Sequence, residues 1–260
     1  MLLSRTEVAV FRLLLWRYAR ERYLQNWAGP LWVILVPLAQ LAIYAFVFVE
    51  IFKARVPEAD TVGFVPYLAV AFWPWTAFAD AVMRATPSVV ENRDLIGKVA
   101  LPAEALPAAS ASATFLLTLA GYVAVLIVLA ATGTPIGLVG LPLMLTMVLC
   151  TYFLALGLSL LFSALQVYAR DLNHALGPLF MLWFFTTPIL YSIDLIPERL
   201  RGLAQLNPFY YIVSRIRDAL LFDAPRFRLA DIAFLVASAL FMLLCVAVFR
   251  RLSRRFEDYL

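Results

Sequence analysis

Residues 138–165, LVGLPLMLTMVLCTYFLALGLSLLFSAL, run for 28 positions without a charge. A bilayer's hydrocarbon core is about 30 Å thick and takes about 20 mostly apolar helical residues to cross. Inside it, backbone polar groups must be satisfied by the chain itself, which favours helices for runs of this length. Five further stretches approach the same pattern, at 31–52, 64–85, about 105–131, about 175–193 and about 229–249. The chain therefore reads as an all-α polytopic membrane protein, with six transmembrane helices in one domain over 1–260. Its 64% apolar content exceeds the roughly 45–50% of soluble domains.

Lys and Arg mark the cytoplasmic side of short loops. Six spans put both termini on one side. That side carries 13 of the 21 basic residues, from Arg5 through Arg22, Arg84, Arg93, Lys98, Arg170, and Arg250 to Arg255. The other side carries 8, and six of these are arginines within 194–228. Both termini are expected in the cytoplasm and 194–228 outside. The net charge of +4 is explained by basic cytoplasmic ends and calls for no nucleic acid.

Within 194–228 lies RGLAQLNPFYYIVSRIRDALL, with Pro188, Pro197 and Pro208 in and before it. Each proline removes a backbone donor, so a straight crossing helix is disfavoured. Two short helices are expected, about 195–206 and 208–221, either re-entrant at the outer mouth or lying in the outer interface. Asn207, Pro208, Tyr211 and Arg215 are the outer-mouth candidates. At the other end of the chain, residues 1–28 form an amphipathic interfacial helix, with Val8, Phe11, Leu15 and Tyr18 sharing a face and Arg5, Arg12 and Arg20 mostly elsewhere. Residues 1–25 are charged throughout and lack the compact apolar core of a signal peptide.

Little here can do covalent chemistry. Gly97-Lys98 is followed by Val99 and does not complete a phosphate loop. His174 is the only histidine, and Cys150 and Cys245 sit in apolar runs without metal-ligand spacing. Neither an enzyme nor a resident cofactor or metal is expected. Ionisable groups inside spans would mark ion coupling. Glu50 lies at the outer end of the first span. Asp80 and Arg84, one turn apart in the second, form either a structural ion pair or a gate.

Two connections on the cytoplasmic side mix charge with apolar residues. One is 86–104, TPSVVENRDLIGKVALPAE; the other, QVYARDLNHA, holds Arg170 and Asp171. Each is a docking surface for another protein or a solvated loop. Tyr44, Trp73, Trp75, Trp183, Phe184, Phe185 and Tyr191 supply aromatic faces suited to an aromatic-lined tunnel for glycan passage, or to an interface belt. The small residues of ALPAASASAT and the Ala155/Ser159/Ser163 series suit close helix packing.

The chain resembles the permease subunits of bacterial type-2 ABC exporters of O-antigen, capsule and teichoic-acid glycans. The resemblance runs through RYARERYLQNWAGPLWVILVPL, FWPWTAFADAVMRATPSVVENRDLIGKVALPAEALP, VYARDLNHALGPLFMLWFFTTPILYSIDLIP and LNPFYYIVSRIRDALL. It departs at Ala28, where relatives often carry leucine. It implies a homodimer in the bacterial inner membrane, resting on two copies of an ATPase subunit that holds ATP and Mg. It implies a coupling element at Glu91, Asn92, Arg93, Asp94, Leu95, Ile96 and Lys98, with Arg170 and Asp171 beside it. It also implies that 194–228 is re-entrant and that the substrate is a lipid-linked polysaccharide. A drug or lipid exporter of the same fold, or an ion-coupled carrier, are the other readings.

Overall fold

The computed structural model describes residues 5–21, 29–51, 53, 62–95, 102–222 and 226–256. It is 84% helix, with no strand among the described residues. In chain order come α1 (Arg5–Ala19), α2 (Gly29–Ala45, continued by a π turn Phe46–Ile51), α3 (Phe64–Ala85), α4 (Ser88–Glu91), α5 (Ala105–Ala131), α6 (Leu141–Tyr168), α7 (Leu172–Thr186), α8 (Glu198–Gln205), α9 (Pro208–Leu220) and α10 (Leu229–Ser253). Leu31–Ile51, Ala105–Ala131, Leu138–Tyr168 and Leu229–Ser253 are long and apolar enough to cross a membrane.

The 22 residues of α3 are buried almost throughout, because α5, α6 and α9 surround it. Pro74 inside this helix has no N–H, so the carbonyl of Val70 lacks its usual partner. Tyr122 of α5 fills that gap, its hydroxyl donating to Val70 O at 3.1 Å. A second proline sets the packing of α2 on α5. A Cβ on Gly121 would stand 2.7 Å from Pro37 Cγ and 2.9 Å from Val33 O, so only glycine lets the helices meet there. Small residues do the same elsewhere: Ala155, Ser159 and Ser163 are buried, and Ser159 Oγ donates to Ala81 O of α3 at 3.4 Å.

The fifth stretch differs from its expected course. α7 has 15 residues, about 22 Å at 1.5 Å per residue, and it ends at Thr186 rather than running to 193. Proline disfavours helical backbone in the residue before it. Thr187, preceding Pro188, is accordingly extended (φ −96, ψ 128). The Thr187 backbone N–H and hydroxyl both donate to Trp183 O, closing the helix end. The chain then turns into α8 and α9, close to the two expected short helices. Asn207 caps α9 by accepting from Phe209 N at 3.0 Å, with Pro208 at the first helical position.

The two ends of the bundle are built differently. At one end α9 lies against the start of α6, where Gly137 N donates to Leu220 O at 2.9 Å. A Cβ on Gly140 would collide with Ala219 O. At the other end Leu14 of α1 packs on Leu106 and Ala109 of α5, and Val89 of α4 packs with Leu160, Val167, Phe249 and Phe256. On α1 Leu14 is buried, with Phe11, Leu15 and Tyr18 half-buried around it and Val8 outside this stripe. Val8, Leu13 and Trp16 are exposed beside Arg12, Arg17 and Arg20, whereas Leu14 packs on α5.

Candidate functional site

Five of the sequence-derived candidates meet at the α9 end. Trp183, Phe185, Tyr191, Asn207 and Pro208 line one cavity of about 610 Å³, with Thr186 and the apolar side chains of α8. Asn207 organises its wall. It accepts from Trp183 Nε1 at 3.0 Å and donates to Thr187 Oγ1 at 2.7 Å. Tyr191 donates to Phe185 O at 2.6 Å. The result is a set of aromatic faces tied to α7 and α9 by hydrogen bonds, with leucines Leu200, Leu203 and Leu206 at the rim.

The other tunnel candidates lie elsewhere. Trp73 and Trp75 are 1% and 5% exposed. Trp75 sits edge-on to Trp183 and Phe209, in a cluster with Phe78 and Phe180. Within one chain these two tryptophans are core, because α3 is covered on nearly every side. Phe184 contacts both Phe72 and Trp75, and Tyr44 packs edge-on to Phe72.

Tyr211 and Arg215 belong to a buried ion network. Arg215 Nε donates to Asp231 Oδ1 at 2.8 Å and its Nη2 to Asp231 Oδ2 at 2.9 Å. Its Nη1 donates to Asp218 Oδ2 at 2.7 Å. Tyr211 Oη and the Arg228 backbone N–H complete the shell of Asp231, both at 2.7 Å. Arg215 is 1% exposed and Asp231 0%. The bidentate bond to Asp231 raises the Arg215 pKa, and burial first, then Asp231, pushes Tyr211 up to about 12. The network fastens α9 to the start of α10. Asp231 was not among the candidates, although an acid at the head of a span and just after a run of arginines is a visible signal.

At the α1 end, Asp80 and Arg84 occupy successive turns of α3, yet the ion pairs among the described residues do not join them. The Arg84 side chain is exposed at the last turn of the helix. It lines a polar cavity of about 340 Å³ with Tyr18, Glu21, Glu91, Ser110 and Thr114. The connection that follows forms α4 and a single 3₁₀ turn at Arg93–Leu95. Glu91, Arg93 and Asp94 are exposed, while Asn92 is 7% exposed and donates to Tyr18 Oη at 3.2 Å. Burial pushes the Tyr18 hydroxyl up to about 12, so it stays protonated at neutral pH. Ile96 and Lys98 lie outside the described residues, as does the Leu95 side chain. Arg170 and Asp171 are exposed between α6 and α7. Gln166 supports that turn, donating to Arg170 O at 2.7 Å and accepting from Asn173 N at 2.9 Å.

Comparison with known proteins decides what kind of machine this is. The ABC-2 type transporter family matches residues 9–221. The chain belongs to the ABC-2 type transporter family. It is a multi-pass membrane subunit of a transporter. Two curated relatives, each an O-antigen export system permease protein RfbA of Klebsiella pneumoniae, are 27% identical over 245 residues, 93% of this chain and 91% of theirs. A protein of the same name from Myxococcus xanthus is 29% identical over 206 residues, 76% of this chain and 75% of its own.

Proposed function

We propose that this ABC-2 subunit exports a lipid-linked, O-antigen-like polysaccharide across the bacterial inner membrane. The observation that carries this is the similarity to O-antigen export permeases, over 93% of this chain for those of Klebsiella and 76% for that of Myxococcus. The aromatic cavity at the α9 end fits the reading, since sugar rings stack on aromatic faces through their C–H surfaces.

In this reading the subunit works as a homodimer with six spans per copy. α3 and α7 complete the count that the four long apolar helices α2, α5, α6 and α10 begin. The α1 end, with both termini, faces the cytoplasm, and α8 and α9 form a re-entrant pair at the outer mouth. Two ATPase subunits, which hold ATP and Mg, dock on the exposed Glu91, Arg93 and Asp94 and on Arg170 and Asp171. ATP binding draws the ATPases together, α4 moves with them, and the path at the dimer interface opens. The permease supplies a route that holds sugars weakly and repeatedly.

The test is deletion in the host. Loss of surface polymer, with lipid-linked polymer accumulating on the inner face and restored export from a plasmid copy, supports the assignment. Normal surface polymer in the deletion strain would remove it. A drug or lipid substrate would leave the polymer untouched.

A further inference from the structure

A second cavity lies at the α9 end, lined by residues farther along α9 than those of the aromatic one. It measures about 440 Å³ and is lined by Tyr67, Pro188, Tyr210, Ser214, Arg217 and Asp218, among others. That volume falls within the roughly 300–1,000 Å³ of small-molecule sites. Its floor is rigid. Arg217 is 5% exposed and lies over the Tyr67 ring, 3.4 Å from the centroid. Its Nε donates to Tyr67 O at 3.2 Å, its Nη1 to Pro188 O at 3.0 Å and its Nη2 to Ile189 O at 2.7 Å. All three guanidinium nitrogens are therefore bonded to carbonyls, so Arg217 acts as a frame across α3, the 188–189 turn and α9 rather than as an anion receptor.

The lining offers a particular chemistry. Asp218 accepts from Arg215 through one oxygen, and a carboxylate has about four lone-pair sites, so it can accept further hydroxyl donors. Ser214 Oγ donates to Tyr211 O at 2.9 Å, which leaves its oxygen as an acceptor. Tyr210 and Phe222 contribute aromatic rings. Hydroxyl acceptors beside aromatic surface, with the cation already engaged, suit an uncharged molecule having several hydroxyls and one apolar face. We propose that this cavity binds one neutral pyranose unit of the exported chain as it leaves the outer mouth. The assignment rests on the polysaccharide-exporter reading.

The experiment is saturation-transfer NMR on the purified permease–ATPase complex, using the methyl glycosides of mannose, galactose, glucose and N-acetylglucosamine at millimolar concentration. Glycerol and inorganic phosphate are the comparison probes. Wild-type protein is expected to saturate at least one glycoside more strongly than glycerol. Ser214→Trp, which fills the cavity, and Tyr210→Leu, which removes a ring and a hydroxyl, are each expected to raise the Kd read from the concentration dependence of that signal about tenfold, equivalent to about 1.4 kcal/mol. Retained ATPase co-elution and hydrolysis show that the variants fold. Equal signals in wild type and both variants would overturn the proposal. So would transfer to phosphate alone, transfer to glycerol as strong as to any glycoside (the mark of a lipid headgroup site), or no transfer to any glycoside. Surface polymer in the complemented deletion strain is scored separately. If wild type restores it while the glycoside result fails, only the cavity assignment falls.

Discussion

Asp231 fastens α9 to the head of α10. It is fully buried and accepts from Arg215, Tyr211 and the Arg228 backbone. Removing one partner of a buried pair leaves an uncompensated charge, at a cost of about 3–5 kcal/mol. Asp231→Ala should lower the resistance of the purified protein to denaturing detergent by that order. The Tyr122 bond to Val70 O is a neutral contact between membrane helices, a class averaging about 0.6 kcal/mol. Tyr122→Phe should therefore cost several-fold less than Asp231→Ala in the same titration. Gly140→Val is expected to be worse than the same substitution at an exposed glycine such as Gly202, because its side chain would have to displace the Ala219 carbonyl. Thermal unfolding of the paired variants checks that ordering.

Among the elements, the α7 break and the α4 segment are the ones the proposed function depends on most. Long apolar runs made α2, α5, α6 and α10 legible in the sequence, since length and hydropathy are additive along a chain. The proline signals at 188, 197 and 208 likewise announced an interrupted segment, and α8 and α9 lie close to the expected bounds. What could not be read was burial. Trp73 and Trp75 look the same on paper whether they line a path or fill a core, and only the surrounding helices decide that they are core within one chain. Asp80 and Arg84 have favourable spacing, yet spacing does not fix rotamers, and Arg84 turns outward. For the α4 segment, Val89 anchors the element while Arg93 and Asp94 stay exposed. An Arg93→Ala/Asp94→Ala variant should fold normally and hydrolyse ATP with its partner. Its surface polymer is expected to fall about tenfold or more, measured by gel against a loading control. Surface substitutions away from such contacts are usually within about 0.5 kcal/mol of neutral for stability.

The two ends of the whole molecule differ in chemistry. The α1 end presents charged loops and a polar cavity. The α9 end presents aromatic and hydroxyl-bearing cavities held by buried arginines. Between them, α3 links both ends through a core in which Pro74 and Pro37 are matched by Tyr122 and Gly121. Such an arrangement suits a subunit pushed from one end and open to its cargo at the other. The outward faces of α2 and α10 remain apolar, with Leu31, Trp32, Ile34, Leu240 and Leu244 exposed, ready for lipid or a second copy. The most direct measurement reconstitutes the permease with its host's ATPase in proteoliposomes and follows lipid-linked polymer from one face to the other. Movement is expected to require ATP, to survive collapse of the proton gradient and to be lost when the ATPase is omitted. Movement driven by a proton gradient without ATP would contradict this reading.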